Sequence, residues 1–163
     1  MKEIFFIRHA KSSWEHSALA DFDRPLNERG RIAAPDMGQR LFAKGIEPDR
    51  IVSSSAKRAI STARLVADEF VNKIEIIEES KLYHASTFSI LDVVNQTPNS
   101  LIRMFLVGHN PGFSDVVEYL SDASLGNLPT TAVVGIRFHF DSWSLISGST
   151  GELIFYDYPK NKP

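Results

Sequence analysis

Short apolar runs alternate along the chain with longer stretches whose apolar residues recur at helical spacing. Ile4-Phe5-Phe6-Ile7 is apolar throughout and rich in β-formers, which predicts a strand buried on both faces, as in a parallel sheet. It begins almost at the first residue, so the fold is expected to open on a central strand. After a polar loop, Asn27 can cap a helix running to about Lys44, with Gly45 as its stop. Pro35 falls inside that span and removes one backbone hydrogen bond, predicting a kink or a delayed start. Arg50-Ile51-Val52-Ser53 reads as a second strand. Ala56 to Phe70 reads as a helix whose Ala59, Ile60, Ala63, Val66, Ala67 and Phe70 share one face. Ile74 to Ile77, Phe88 to Asn95 and Met104 to Val107 follow as strand, helix and strand, and Pro111 opens a further helix.

The C-terminal third changes period. Ile136, Phe138 and Phe140 alternate with Arg137, His139 and Asp141, and Leu153 to Tyr156 follows a Ser/Gly/Thr loop, which predicts a hairpin. The pattern as a whole predicts a three-layer α/β/α fold, a mostly parallel sheet with an antiparallel C-terminal edge. At 163 residues the chain is sized for a single domain spanning residues 1–163, and it contains no repeat, low-complexity tract or linker.

Composition then narrows the chemistry. The absence of cysteine excludes disulfides, thiolate nucleophiles, Cys-ligated zinc and iron–sulfur clusters together. Eighteen Lys and Arg against 20 Asp and Glu give a net charge of −2, which is no electrostatic footprint for nucleic acid or an anionic membrane. No stretch approaches the ~18 apolar residues of a spanning helix, and the N-terminal apolar run is too short for a signal peptide. The expectation is a cytoplasmic monomer.

Ligands of open α/β sheets bind beyond the carboxyl ends of the strands. Three predicted strands run into basic or imidazole residues there: Arg8-His9, Ser53-Ser54-Ser55-Ala56-Lys57-Arg58, and Gly108-His109-Asn110-Pro111-Gly112. The expected topology brings Arg8, His9, Arg58 and His109 to one spot. Two guanidiniums, two imidazoles and two helix N-termini suit a compact anion, of which phosphate is the commonest. Without cysteine or an Asp-rich metal loop, the nucleophile toward a held phosphoryl group is a histidine nitrogen. Attack would give a phosphohistidine that water hydrolyses, with His109 and the arginines neutralising charge on the equatorial oxygens.

Ser12 and Ser53 are further candidate phosphate donors, Lys11 and Lys57 add positive potential, and the loop of His84 can rim the pocket. His16 and His139 are expected to be ordinary surface residues, and Trp14, Phe22 and Tyr83 carry no assignment. A zinc site on His9 and His109 lacks HExxH or similar spacing, and neither a P-loop nor a dinucleotide fingerprint is present.

Arg8-His9-Ala10 resembles the Arg-His-Gly motif of the histidine phosphatase superfamily, which includes phosphoglycerate mutases and acid phosphatases. Ser53 to Ala59 with Thr62-Ala63 resembles its second arginine motif, and Val107 to Gly112 its second histidine motif, in the same order along the chain. Asp23-Arg24-Pro25-Leu26 with Arg29-Gly30, and Leu82-Tyr83-His84-Ala85-Ser86, are similar to the small SixA-like phosphohistidine phosphatase branch. The resemblance implies a phosphoglycerate mutase-like fold and a phosphatase that needs no metal or organic cofactor. It implies that His9 is phosphorylated and that Arg8, Arg58 and His109 line the phosphate pocket.

Three departures matter. Ala10 replaces the usual Gly, and Glu15 stands where mutases carry an Asn, which disfavours a second phosphate group. Glu78 and Glu79 lie near the region of the mutases' general acid, but the motif around them differs. The lack of a clear acid leans toward phosphohistidine borne on a protein, since a protonated imidazole leaves readily. A small phosphomonoester, such as a sugar phosphate or nucleotide, is the second expectation, and a non-catalytic phosphate-binding module the third.

Overall fold

The structure is a computed structural model and describes residues 1–162. Six strands form one sheet: β1 (Lys2–Arg8), β2 (Arg50–Ser53), β3 (Ile76–Glu78), β4 (Arg103–Gly108), β5 (Val133–Phe138) and β6 (Gly151–Asp157). Four helices accompany them: α1 (Glu28–Ala43), α2 (Lys57–Ala67), α3 (Thr87–Asn95) and α4 (Gly112–Ser121). The strand order is β3-β2-β4-β1-β5-β6, parallel from β3 to β1 and antiparallel for β5 and β6. No helix among the described residues is long and apolar enough to cross a membrane.

The run Ile4-Phe5-Phe6-Ile7 explains the layering. Side chains alternate across a strand, so Phe5 and Ile7 enter one core with Ala34, Met37 and Leu41 of α1 and Ala59, Ala63 and Val66 of α2. Ile4 and Phe6 enter the other core with Ile90 and Val94 of α3 and Val116, Val117 and Leu120 of α4. All four side chains are fully buried, and burial of each contributes about 1.5–3 kcal/mol. This is a three-layer α/β/α arrangement with β1 at its centre.

Asn27 caps α1 as its sequence position suggests, its side chain accepting from the Gly30 amide, and Gly45 leaves the helix at φ 71°. Pro35 does not delay the start: α1 runs from Glu28 to Ala43 with the proline inside. The backbone bond lost at Pro35 is outweighed by the buried face that Ala34, Met37 and Leu41 supply on either side. α2 ends at Ala67, short of the expected Phe70, although Phe70 still packs into the core. β3 begins at Ile76 instead of Ile74; it pairs only with β2, and an edge strand needs no longer apolar run.

The C-terminal pairing is antiparallel, and Ile136, Phe138 and Phe140 share one core as their alternation predicts, but the strand has different bounds. β5 starts at Val133, stops at Phe138 and lies inside the sheet between β1 and β6, so Val133 and Val134 are both buried. The edge belongs to β6. The long connection between them buries Trp143, whose indole N–H donates to the Leu101 carbonyl at 2.9 Å.

β1 and β4 are neighbours, yet the helices that follow them, α1 and α4, cover opposite faces of the sheet. Adjacent parallel strands whose connections diverge leave a crevice at their carboxyl ends. Arg8-His9 and Gly108-His109 stand at that crevice.

Candidate active site

A cavity of about 410 Å³ opens there, lined by Arg8, His9, Asp21, Arg24, Arg58, His84, His109 and Asn110, among others. The four residues expected to converge do so.

His9 follows β1 directly, and its amide donates to the Gly108 carbonyl at 2.9 Å. Its Nδ1 lies 2.7 Å from the Ala10 carbonyl. A carbonyl only accepts, so the ring proton sits on Nδ1 and the lone pair on Nε2 is left free. The Ala10 amide donates to Thr62 Oγ1 at 2.9 Å, and that hydroxyl donates to the Arg58 carbonyl at 2.8 Å. The nucleophile candidate is thereby tied to the first turns of α2. On its other side the loop is braced by α1: a Cβ on Gly30 would lie 2.2 Å from the Lys11 carbonyl oxygen.

His109 follows β4, with its ring centroid 5.2 Å from that of His9. Its Nε2 is 2.8 Å from the Ser54 hydroxyl, which β2 delivers through a Ser54 amide bond to the Val107 carbonyl. Arg8 donates from Nη1 to the Leu128 carbonyl at 2.7 Å. Arg58, in the first turn of α2, donates from Nη1 to the Asp21 carbonyl at 2.7 Å and from Nη2 to Asp21 Oδ2 at 3.0 Å. Arg8 Nε, Arg58 Nε and His109 Nδ1 are buried without a partner among the described residues. Three such nitrogens on residues lining one cavity are what an oxyanion would satisfy.

Burial first, and then the charges of Arg58, Arg8 and Arg24, push His9 down to about 4 against the partial opposition of its Ala10 bond. Burial, His9 and Arg58 push His109 down to about 3. Both rings are neutral at pH 7, which keeps the His9 lone pair available. The hydrogen bond from Tyr83, with those from Arg58 and Arg24, holds Asp21 well below the usual carboxylate range.

These shifts set a pH dependence of stability. Above about pH 6.5 the two rings are neutral in folded and unfolded chains alike. From there down to about 4 the unfolded chain binds protons that the folded chain does not, so stability falls with pH through that window. The Tm is expected to drop steadily between pH 7 and 4, and inorganic phosphate should reduce the drop by supplying counter-charge. A Tm unchanged across that range would contradict the burial of two neutral imidazoles.

Several residues lie elsewhere than the sequence suggests. The Ser12 hydroxyl does not line the cavity; it accepts from Arg24 Nη1 at 2.7 Å, in a buried loop that forms an isolated bridge with Leu26. Ser12 thus holds a guanidinium that does line the cavity. Ser53 donates to the Ser54 carbonyl, and Lys11 and Lys57 are exposed outside the cavity lining. Glu15 and His16 border a separate surface depression, and Glu79 accepts from the Lys81 amide, so neither Glu15 nor Glu79 faces the cavity. His139 is exposed beside Glu152 as expected.

Asp21, Arg24 and Ser54 are the additions. Asp21 accepts from Arg58, from Arg24 Nε at 3.2 Å and from the Tyr83 hydroxyl at 2.7 Å. Arg24 also stacks on Trp14, its guanidinium carbon 3.5 Å from the ring centroid. The Asp-x-x-Arg spacing of Asp21 and Arg24 in a polar loop was the available signal. Among the described residues, no three His, Cys, Asp or Glu side chains are grouped to hold a metal ion.

Comparison with known proteins agrees with this geometry. The family model of the histidine phosphatase superfamily (branch 1) matches residues 4–85. The crystal structure of an Agrobacterium tumefaciens protein classed as phosphohistidine phosphatase SixA is similar at 26% identity and TM-score 0.82, covering 97% of this chain and 98% of that one. A Nakamurella multipartitia protein of the same designation matches at 22% identity and TM-score 0.83, over 98% and 97% of the two chains. A protein from Escherichia coli classed as an α-ribazole-5′-P phosphatase shares the fold at 14% identity and TM-score 0.73, over 97% of both. The fold is thus phosphoglycerate mutase-like, and the chain belongs to the histidine phosphatase superfamily, branch 1, with SixA-like proteins among its structural relatives.

Proposed function

We propose that the protein is a phosphohistidine phosphatase, acting through a covalent phosphoryl intermediate on His9 and needing no metal or organic cofactor. The reading is supported above all by the one-sided anchoring of His9. The Ala10 carbonyl holds Nδ1–H, so Nε2 is unprotonated within a cavity lined by three guanidiniums.

In the first step Nε2 forms a bond to phosphorus as the bond to the leaving group breaks. The ring, now substituted at Nε2 and protonated at Nδ1, is cationic and donates more strongly to Ala10. The phosphoryl dianion beside it offsets that charge, while Arg8, Arg58 and His109 stabilise the equatorial oxygens of a loose transition state. Water then attacks phosphorus, the N–P bond breaks, and His9 returns to neutral imidazole.

A phosphohistidine donor suits the first step because its leaving imidazole already carries a proton. Among the described residues, the one carboxylate lining the cavity, Asp21, is held by three donors. The exposed aromatics Trp14 and Phe22, packed on the cavity residue Arg24 and on Tyr83, offer a protein surface something to rest on. A metabolite phosphomonoester is the second reading, since about 410 Å³ accommodates a small ligand.

A substrate panel separates them. Phosphohistidine on a phosphotransfer protein should be turned over with kcat/KM at least about tenfold above sugar phosphates and nucleotides. The reverse order would transfer the assignment to a metabolite.

A further inference from the structure

We propose that His84 is the proton-transfer residue of this site, acting as base toward the attacking water and as acid toward alcohol leaving groups. The assignment rests on the phosphatase reading above and supplies the group that it lacks. Hydrolysis of a phosphoryl-His9 requires a proton to leave water. An alkoxide leaving group requires one to arrive.

The other lining residues are poorly suited. Arg8, Arg24 and Arg58 do not exchange protons near neutrality. His9 is the nucleophile, and His109 is engaged through Nε2 with Ser54 and half-buried. Asp21 is bonded to two guanidiniums and a phenol, which keeps it ionised and a weak base. His84 differs from all of these. Its ring lines the cavity, is exposed, and makes no hydrogen bond or ion pair among the described residues. Imidazole is also the side chain whose proton exchange falls nearest physiological pH.

The backbone holds His84 there deliberately. Its φ is 52°, in the left-handed region that a β-carbon disfavours, and such conformations cluster at functional sites. Two contacts flank it. Tyr83 on one side is bonded to Asp21, with its ring 4.0 Å from that of His84. Ala85 on the other sits against the start of α4, where a Cβ on Gly112 would lie 2.6 Å from the Ala85 carbonyl oxygen. The side chain between is presented to the cavity. The ionisable groups facing it are Tyr83, His9, His109, Asp21 and the three arginines.

Proton accounting closes over one cycle. With an alcohol leaving group, His84 imidazolium gives its proton to the departing oxygen as His9 Nε2 bonds to phosphorus. Neutral His84 then takes a proton from water as the water oxygen bonds to phosphorus and the N–P bond breaks, which restores the imidazolium. With a phosphohistidine donor only the second transfer is needed, and His84 then passes the proton to solvent before the next turnover.

The test is single-turnover labelling with ³²P-phosphoramidate. In His84→Gln and His84→Ala, label should reach His9 at nearly the wild-type rate but decay about 10²-fold more slowly. Imidazole in the buffer should speed that decay in His84→Ala, a response that a merely structural role would not give. Among aryl phosphates, the rate should depend more steeply on leaving-group pKa in both variants. Label that forms on wild-type His9 and decays equally fast in the variants would overturn the His84 assignment alone. Wild-type protein that takes no label at His9 would overturn the phosphatase reading with it.

Discussion

His9→Ala is expected to remove turnover and covalent labelling together, lowering kcat by at least about 10³-fold. No second nucleophile stands ready. His109 is the nearest imidazole, but its Nε2 faces Ser54 and its Nδ1 is buried. The fold should survive the change. His9 is a buried ring that charges poorly, so its removal takes away a group that destabilises the folded chain in mild acid. Circular dichroism and a Tm equal to or above that of the parent near pH 5 would show an intact protein without activity. Undiminished hydrolysis of phosphohistidine by His9→Ala would end the covalent mechanism.

Arg58→Ala should have the next largest effect, a loss of about 10²–10³ in kcat/KM, in line with removal of one preorganised donor from a transition-state cradle. Two consequences combine. The phosphoryl oxygens lose a planar fork, and Asp21 loses the guanidinium that binds both its carbonyl and its carboxylate. Arg58→Lys is expected to recover little, because an ammonium is a point charge and cannot span two oxygens in one plane. The inhibition constant for inorganic phosphate or tungstate should rise in step with the loss of kcat/KM. Inhibition unchanged in Arg58→Ala would place the anion elsewhere in the cavity.

How far the sequence reached depended on whether a feature was local. β1 was legible because four consecutive apolar residues leave few alternatives to a strand buried on both sides. The α1 cap was legible because Asn27 acts on an amide three residues away. The convergence of Arg8, His9, Arg58 and His109 followed from strand ends, which a parallel topology aligns. What stayed hidden was pairing across the fold. Asp21 meets Arg58 over 37 positions and Tyr83 over 62, and nothing in the loop's polar composition specifies either partner. A single residue separated Ser53, which turns into the backbone, from Ser54, which meets His109. The partner of Ser12 was hidden for the same reason: a hydroxyl beside a phosphate motif also satisfies a neighbouring arginine.

The central position of β1 also shapes how the chain must fold. Glu3 pairs with Arg103, 100 positions on, and Lys2 with Phe138, 136 positions on. Contacts of such long sequence separation form slowly, because loop closure precedes any gain from pairing. During synthesis the first apolar strand emerges well before either neighbour exists, and for that interval it is a natural client for a chaperone. Arg8 is anchored through Leu128 and Ala132. A nascent chain halted just short of Leu128 would therefore contain Arg8, His9, Arg58 and His109 and still lack both carbonyls that hold Arg8.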